Sequence, residues 1–140
     1  MLLKIVSGGQ SGADQAALDW AIANGVDHGG WCPKGRKSED GKIDPKYLLT
    51  ETPNANYLER TEWNVRDSDA TVIFTLDSKL STGSKRTMEF AEKLGKPCRY
   101  FRPGVDVKFL RRFLEMYKVK VLNVAGPRAS NATGIDEYVR

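Results

Sequence analysis

The chain has 140 residues, of which 40% are hydrophobic and 29% are charged, with a net charge of +4 at pH 7. These values are typical of a single globular domain, here residues 1–140, and no apolar run approaches the roughly 20 residues of a membrane span. Nucleic-acid-binding proteins usually carry a larger positive excess, so we expect a small anionic ligand as the partner, and neither a membrane nor a nucleic acid.

The N-terminus and the cysteines indicate the compartment. The chain enters a predicted strand without a basic and apolar leader, which argues against a secretory signal. Cys32 and Cys98 lie far apart, in no metal-ligand spacing. We therefore expect a cytoplasmic protein with reduced thiols and no metal site.

In the first half of the chain, hydrophobic periodicity predicts four elements and one irregular segment. They are a strand at 2–6, a helix at 12–24, a short strand near 30–31, a polar irregular segment at 32–53 and a helix at 57–66. The first helix has an alanine-rich apolar face that also includes Trp20. His28, the only histidine, is predicted to lie in a surface turn.

The second half continues the alternation of strands and helices. We predict strands at 69–75, 97–101 and 120–124, and helices at 84–94 and 107–117. In the last helix Leu110 and Leu114 face the core, while Phe109 and Phe113 flank that face and suit an interface. This order predicts an α/β fold, with a doubly wound, mostly parallel sheet of about five strands and helices on both faces.

A glycine-rich turn joins the first strand to the first helix. Gly8, Gly9 and Gly12 permit positive φ and close backbone approach, and Gln10 lies between them. The first-turn N–H groups and the helix dipole then favour an anion, such as a phosphate. Ser11 and Asp14 have the spacing of a capping box.

Two further glycine-containing loops are predicted at the same edge of the sheet. Thr82, Gly83 and Ser84 precede a helix, where they either cap it or contact a ligand. Asn123 ends the last strand, and Gly126 and Arg128 follow it. Because parallel strands end at one edge, we expect the three loops to converge there on a ligand.

Several charged residues remain open in role. Lys34, Gly35 and Arg36 form either a phosphate clamp or a solvated loop, and Glu39 and Asp40 either pair with these cations or contact a ligand. Arg60 and Asn64 share one helical face, which looks either onto the site or onto water.

Nearly the whole chain resembles the molybdenum carrier family, whose characterised members hold the molybdenum cofactor (a molybdopterin) unchanged. The matching stretches are 8–14, 16–19, 29–36, 39–41, 69–71 and 122–128, with single matches at Tyr47, Leu49, Glu51, Thr52, Tyr57, Arg60, Thr61, Asn64 and Val65. The resemblance implies a Rossmann-like fold, a homo-oligomer (dimer or tetramer), and an anionic phosphorylated pterin or nucleotide-like ligand.

The same resemblance implies roles for individual residues and leaves an enzymatic alternative. Gly8–Gly12 would cradle the phosphate, with Lys34, Arg36 and the loop 82–84 around it. Related phosphoribohydrolases use an acid in a glycine-rich loop for N-glycosidic cleavage, for which the candidates here are Glu39, Asp40 and Glu89. Hydrolysis is the first alternative, and a nucleic-acid module, after the Smf-type relatives, is the second.

Overall fold

The computed structural model describes residues 2–38, 41–74, 82–101 and 107–126. The elements are, in chain order, β1 (Lys4–Val6), α1 (Ala13–Ala23), β2 (Asp27–Gly29), β3 (Trp31–Cys32), β4 (Lys37–Ser38), β5 (Gly41–Lys42), β6 (Thr50–Glu51), α2 (Tyr57–Arg66), β7 (Ala70–Phe74), α3 (Thr82–Leu94), β8 (Cys98–Phe101), α4 (Val107–Met116) and β9 (Val121–Ala125). No helix in these ranges is both long and apolar enough to cross a membrane.

Five strands form one parallel sheet in the order β2-β1-β9-β7-β8. From β1 the chain passes through α1 to one edge, and from β7 it passes through α3 to the other edge. Because crossovers between parallel strands are right-handed, α1 and α3 cover opposite faces of the sheet. The predicted doubly wound α/β fold is confirmed.

The main hydrophobic core lies between one face of this sheet and the helices α1 and α4. Alternate residues of the strands, such as Val72 and Val124, cluster there with Ala17, Ala21 and Phe113. Small alanine side chains allow α1 to approach the sheet closely. The intervening strand residues, including the buried Thr71 and Asn123, face the other side, where α2 and α3 contact each other.

The segment predicted to be irregular carries a second core. Leu18 of α1 packs with Cys32, Ile43 and Tyr47, and Leu49 packs against them. Two short strand pairs, β3 with β6 and β4 with β5, give the segment its shape. Burial raises the pKa of the Cys32 thiol, which therefore packs as a neutral, apolar group.

Three sequence predictions differ from the structure in detail. His28 lies in β2 rather than in a turn, and its Nε2 accepts a hydrogen bond from the Leu48 amide at 3.1 Å. Trp20 is 39% exposed instead of lying on the buried face of α1. Phe113 is buried in the main core, and its neighbour Phe109 is the exposed one.

Candidate functional site

The carboxyl ends of β1, β9 and β7 lie side by side, because the three strands are parallel neighbours. Their close approach is visible at Gly126, directly after β9. A Cβ atom there would lie 2.6 Å from the Ala13 Cβ at the start of α1 and 2.8 Å from the Phe74 carbonyl oxygen at the end of β7. The carboxyl ends of the three strands therefore lie together at one edge, as the sequence predicted, while residues 75–81 and 127–140 lie outside the described residues.

The glycine loop between β1 and α1 is buried and is held by its own side chains. Gly9 and Gly12 have φ values of 73° and 82°. The Ser7 hydroxyl accepts a hydrogen bond from the Gly9 amide at 3.3 Å, and the Asp14 carboxylate accepts one from the Gln10 amide at 3.3 Å. These two amides are thus occupied within the loop, and an anion at this loop would have to be bound by the first turn of α1.

The start of α1 is different from the predicted capping box. The N-cap residue is Gly12, which has no capping side chain, and Ser11 precedes it. Asp14 instead reaches back to the Gln10 amide, so that its carboxylate stabilises the glycine loop. The prediction of a Ser11–Asp14 box was wrong because the helix starts one residue later than that motif requires.

Arg60 of α2 lies directly over the glycine loop. Its Nη1 is 3.5 Å from the Asp14 Oδ2, and both side chains are largely buried. A Cβ atom on Gly8 would overlap the guanidinium and would lie 2.6 Å from the Arg60 Cδ. Glycine at position 8 is therefore what allows the cation to approach the loop.

Asn64, one turn along α2, faces the same side of the helix and has a structural role. Its side chain accepts a hydrogen bond from the Trp31 amide at 2.7 Å and donates one to the Trp31 carbonyl at 2.9 Å. The helical face shared by Arg60 and Asn64 is thus turned towards the loops of the site and away from water.

Lys37 and Tyr57 also lie at the site, although neither was predicted to contact a ligand. The Lys37 Nζ lies 5.1 Å from the centre of the Tyr57 ring, and the Arg60 guanidinium carbon lies 5.7 Å from it. The Lys37 carbonyl accepts a hydrogen bond from the Gln10 Nε2 at 2.9 Å, which ties β4 to the glycine loop. The three-residue spacing of Tyr57 and Arg60, one helical turn, was the available signal.

The predicted clamp at Lys34, Gly35 and Arg36 is organised mainly by backbone contacts. The Arg36 guanidinium donates to the carbonyls of Ile43, Asp44 and Tyr47 at 2.9 to 3.2 Å. The Gly35 amide donates to the Glu51 carboxylate at 2.6 Å, and Lys34 is exposed. Arg36 therefore holds residues 43–47 in place, whether or not it also contacts a ligand.

The remaining predicted site residues are distributed as follows. Asn123 is buried within β9, and its Nδ2 donates to the Thr71 hydroxyl at 3.2 Å. Ser84 is buried in the first turns of α3, which also includes the backbone of Thr82 and Gly83. Glu89 of the same helix is exposed and lies 4.0 Å from Arg86. Glu39, Asp40 and Arg128 lie outside the described residues.

Comparisons with known proteins identify the family to which the chain belongs. Residues 5–140 match the model of the circularly permutated YpsA SLOG family. The chain belongs to this family. The Putative molybdenum carrier protein from Syntrophus aciditrophicus SB has a crystal structure that is 40% identical, with a TM-score of 0.95, over 99% of this chain and 90% of that chain.

Other similarities add nothing to the family assignment. (E)-4-Hydroxy-3-methyl-but-2-enyl diphosphate reductase matches at 12% identity and a TM-score of 0.38, over 99% of this chain and 57% of that chain, too weakly to inform on fold or function. No curated protein is significantly similar to the chain. The circularly permutated YpsA SLOG assignment and the 40% identical structure thus confirm the resemblance that the sequence motifs indicated.

Proposed function

We propose that the protein binds and carries a small anionic ligand, whose phosphate lies against the glycine loop and the first turn of α1. One observation carries this proposal: Asp14 and Gly8 together position a largely buried guanidinium, that of Arg60, over a glycine loop at the carboxyl edge of a parallel sheet. Ligands of doubly wound folds bind at this edge.

The charges near the loop favour an anion. Arg60 and Lys37 both lie near the Tyr57 ring, and one carboxylate, that of Asp14, lies 3.5 Å from Arg60. Among these three side chains the net charge is positive, and the positive end of the α1 dipole adds to it. The Arg60 side chain is largely buried, which reduces solvent screening, so a charge-assisted hydrogen bond from Arg60 to a phosphate is stronger than one on an open surface. Lys37 is exposed and adds a more screened charge.

The name of the relative suggests the cargo. The 40% identical protein is called a molybdenum carrier, which supports a molybdenum-related ligand for this chain as well. We propose the molybdenum cofactor, an anionic phosphorylated pterin, as that ligand, with other nucleotide-like phosphates as the wider class. We further propose that the carrier works in the cytoplasm as a homo-oligomer.

The described residues give no specific support to N-glycosidic cleavage. Glu89, one of the three candidate acids, is exposed on α3 and paired with Arg86. A general acid has to lie beside the scissile bond, and the only acid described at the glycine loop is Asp14, which is occupied by Gln10 and Arg60. Carriage without turnover is the function that these contacts favour.

A ligand panel followed by product analysis tests the proposal. Thermal melting is measured with molybdopterin-type ligands, AMP, ADP-ribose, inorganic phosphate, molybdate and a short oligonucleotide. At about 100 times its Kd a ligand adds roughly 2.7 kcal/mol of stability. We expect a shift of several degrees with a phosphorylated ligand, which chromatography then recovers intact. Release of a free base would show hydrolysis, and a shift only with the oligonucleotide would favour nucleic-acid binding.

A further inference from the structure

The side chain of Gln10 has one buried polar atom that its surroundings leave unsatisfied. Gln10 is 2% exposed, and its Oε1 has no hydrogen-bond partner in the described part of the chain. A buried carbonyl oxygen without a hydrogen-bond donor lowers the stability of the folded state, so such an atom usually has a function or a partner outside the chain.

The orientation of the Gln10 amide is fixed by its other atom. The Nε2 donates to the Lys37 carbonyl at 2.9 Å and lies 3.5 Å from the Gly8 carbonyl. Exchanging the two atoms would place the Oε1 against two carbonyl oxygens, which cannot donate to it. The Nε2 therefore stays towards Gly8 and the β4 strand, and the Oε1 on the other side of the same amide remains the acceptor without a partner.

We propose that Gln10 determines the specificity of the anion site by accepting a hydrogen bond from a hydroxyl or N–H group that the ligand carries close to its phosphate. This inference rests on the proposed function. A fully deprotonated oxyanion, such as molybdate or the dianion of a simple phosphate monoester, presents only lone pairs to the Gln10 carbonyl. An organic phosphate with a neighbouring donor can pair its phosphate with Arg60 and Lys37 and also donate a hydrogen bond to the buried Gln10 Oε1.

Matched ligands test this on the unaltered protein. Ethyl and propyl phosphate are compared with 2-hydroxyethyl and 3-hydroxypropyl phosphate by NMR or calorimetric titration, with inorganic phosphate as the reference. We expect at least one hydroxyl-bearing ester to bind about fivefold more tightly than its alkyl counterpart, the effect of one neutral hydrogen bond. Equal affinities within both pairs would overturn the inference.

A matched pair of variants assigns the effect to Gln10. In Gln10→Met the acceptor and the Nε2 contacts are lost, whereas Gln15→Met loses only a comparable loop contact, the 2.9 Å hydrogen bond from Nε2 to the Gly9 carbonyl. We expect the preference for the hydroxyl-bearing ester to disappear in Gln10→Met and to persist in Gln15→Met. Preference retained in a folded Gln10→Met protein would also overturn the inference.

Failure of the proposed function and failure of the role of Gln10 give different results in these experiments. Absence of binding by every phosphate, including inorganic phosphate, would contradict the proposed function itself. Binding of all phosphates without discrimination would leave that function intact and would remove the role of Gln10. A melting curve shows whether Gln10→Met folds. If it does not fold, the comparison of the ester pairs on the unaltered protein still tests the inference.

Discussion

Arg60 is the single side chain on which the proposed site most depends. It combines charge, burial and a position over Gly8, and Asp14 restricts its movement. We predict that Arg60→Ala weakens phosphate binding by about 10- to 100-fold, the scale of a lost charge-assisted hydrogen bond. Titration calorimetry with the tightest ligand of the panel measures this change.

A control for that variant lies on the same helix. Arg66 is an exposed cation that pairs with Asp67 at 2.8 Å and stacks on Trp63, outside the site. Arg66→Ala removes the same charge from α2 and should leave the affinity unchanged. An equal loss of affinity in both variants would show that only the overall charge of the helix matters.

Glycine is required at position 9 for two reasons, its positive φ and the lack of space for a Cβ atom, and a comparison with Gly25 separates them. Its φ is 73°, and a Cβ atom there would overlap Leu49 and lie 3.2 Å from the Ile43 Cδ1. Gly25 has a similar φ of 68°, but no atom within 4 Å of such a Cβ. We predict that Gly25→Ala costs about 1–2 kcal/mol of unfolding free energy, from backbone strain alone.

Gly9→Ala should cost about 1–3 kcal/mol more than Gly25→Ala, because it also overpacks the second core. Gly9→Val, with a branched side chain, should damage both folding and binding. Denaturant unfolding of the three variants gives the comparison. Equal losses for the two alanine variants would mean that Leu49 and Ile43 move aside without cost.

At the level of elements, the segment between β3 and β6 shows where sequence reasoning was limited. Its polar composition predicted an irregular excursion, and its basic residues left open either a phosphate clamp or a solvated loop. The structure shows Arg36 bonded to three backbone carbonyls and Ile43 and Tyr47 in a core with Leu18. Composition does not reveal that a cation satisfies carbonyls of its own loop.

Arg36→Ala should therefore lower stability as well as affinity. Loss of its hydrogen bonds to three carbonyls is expected to cost about 1–3 kcal/mol of unfolding free energy. Arg36→Lys should rescue little, because an ammonium cannot reproduce the planar fork of a guanidinium. Urea unfolding measures the loss. Unchanged stability in Arg36→Ala would mean that residues 43–47 are held by their apolar contacts alone.

The junction of β7 and β9 gives a pH-dependent prediction. The Asp69 carboxylate accepts hydrogen bonds from the Lys120 and Val121 amides, both at 2.9 Å, and these bonds hold the pKa of Asp69 below its ordinary value of 3.8. A lowered pKa in the folded state means that this stabilisation is present above about pH 4 and is lost as the pH falls through the folded-state pKa.

The variant Asp69→Asn, which removes the charge, tests this contribution. Its unfolding free energy should fall below that of the unaltered protein at pH 7, and the difference should be smaller at pH 3, because the contribution decreases as the pH falls below the ordinary pKa of Asp69. Denaturant unfolding at both pH values measures this. A difference that is the same at pH 3 and pH 7 would rule out the charged form of Asp69 as the source.

Secondary-structure elements with regular periodicity were predicted well, and those defined by their neighbours were not. The helix predicted at 57–66 has the bounds Tyr57–Arg66, and β7 begins one residue later than predicted. Strand β2, with the sequence Asp-His-Gly, was missed because its strand character comes from pairing with β1. Likewise, Lys37 enters the site through its contacts with Gln10 and Tyr57, which sequence spacing does not encode.

At the scale of the whole molecule, the order of the strands explains why the site lies where it does. Crossovers leave β1 and β7 in opposite directions, and β9 fills the space between them. This arrangement brings the glycine loop, Gly126 and the start of α1 together at one edge. The sequence alternation predicted this topology, whereas Arg60 reaches the edge through α2, which lies outside the strand-ending loops.

The predicted homo-oligomer belongs to this scale as well. Size-exclusion chromatography with light scattering, with and without the tightest ligand of the panel, measures the mass in solution. We expect two or four times the mass of the chain. A single-chain mass under both conditions would contradict this part of the proposal.

The most direct test of the central claim is an NMR titration of the ¹⁵N-labelled protein with the tightest phosphorylated ligand of the panel. We predict that the largest chemical-shift changes fall on the backbone amides of residues 10–14 and Lys37 and on the Nε–H signal of Arg60. The amides of Gly25 and Gly95, which lie in turns away from the glycine loop, should be unaffected. Saturable binding whose shifts fall elsewhere on the surface would contradict the placement of the site at the glycine loop.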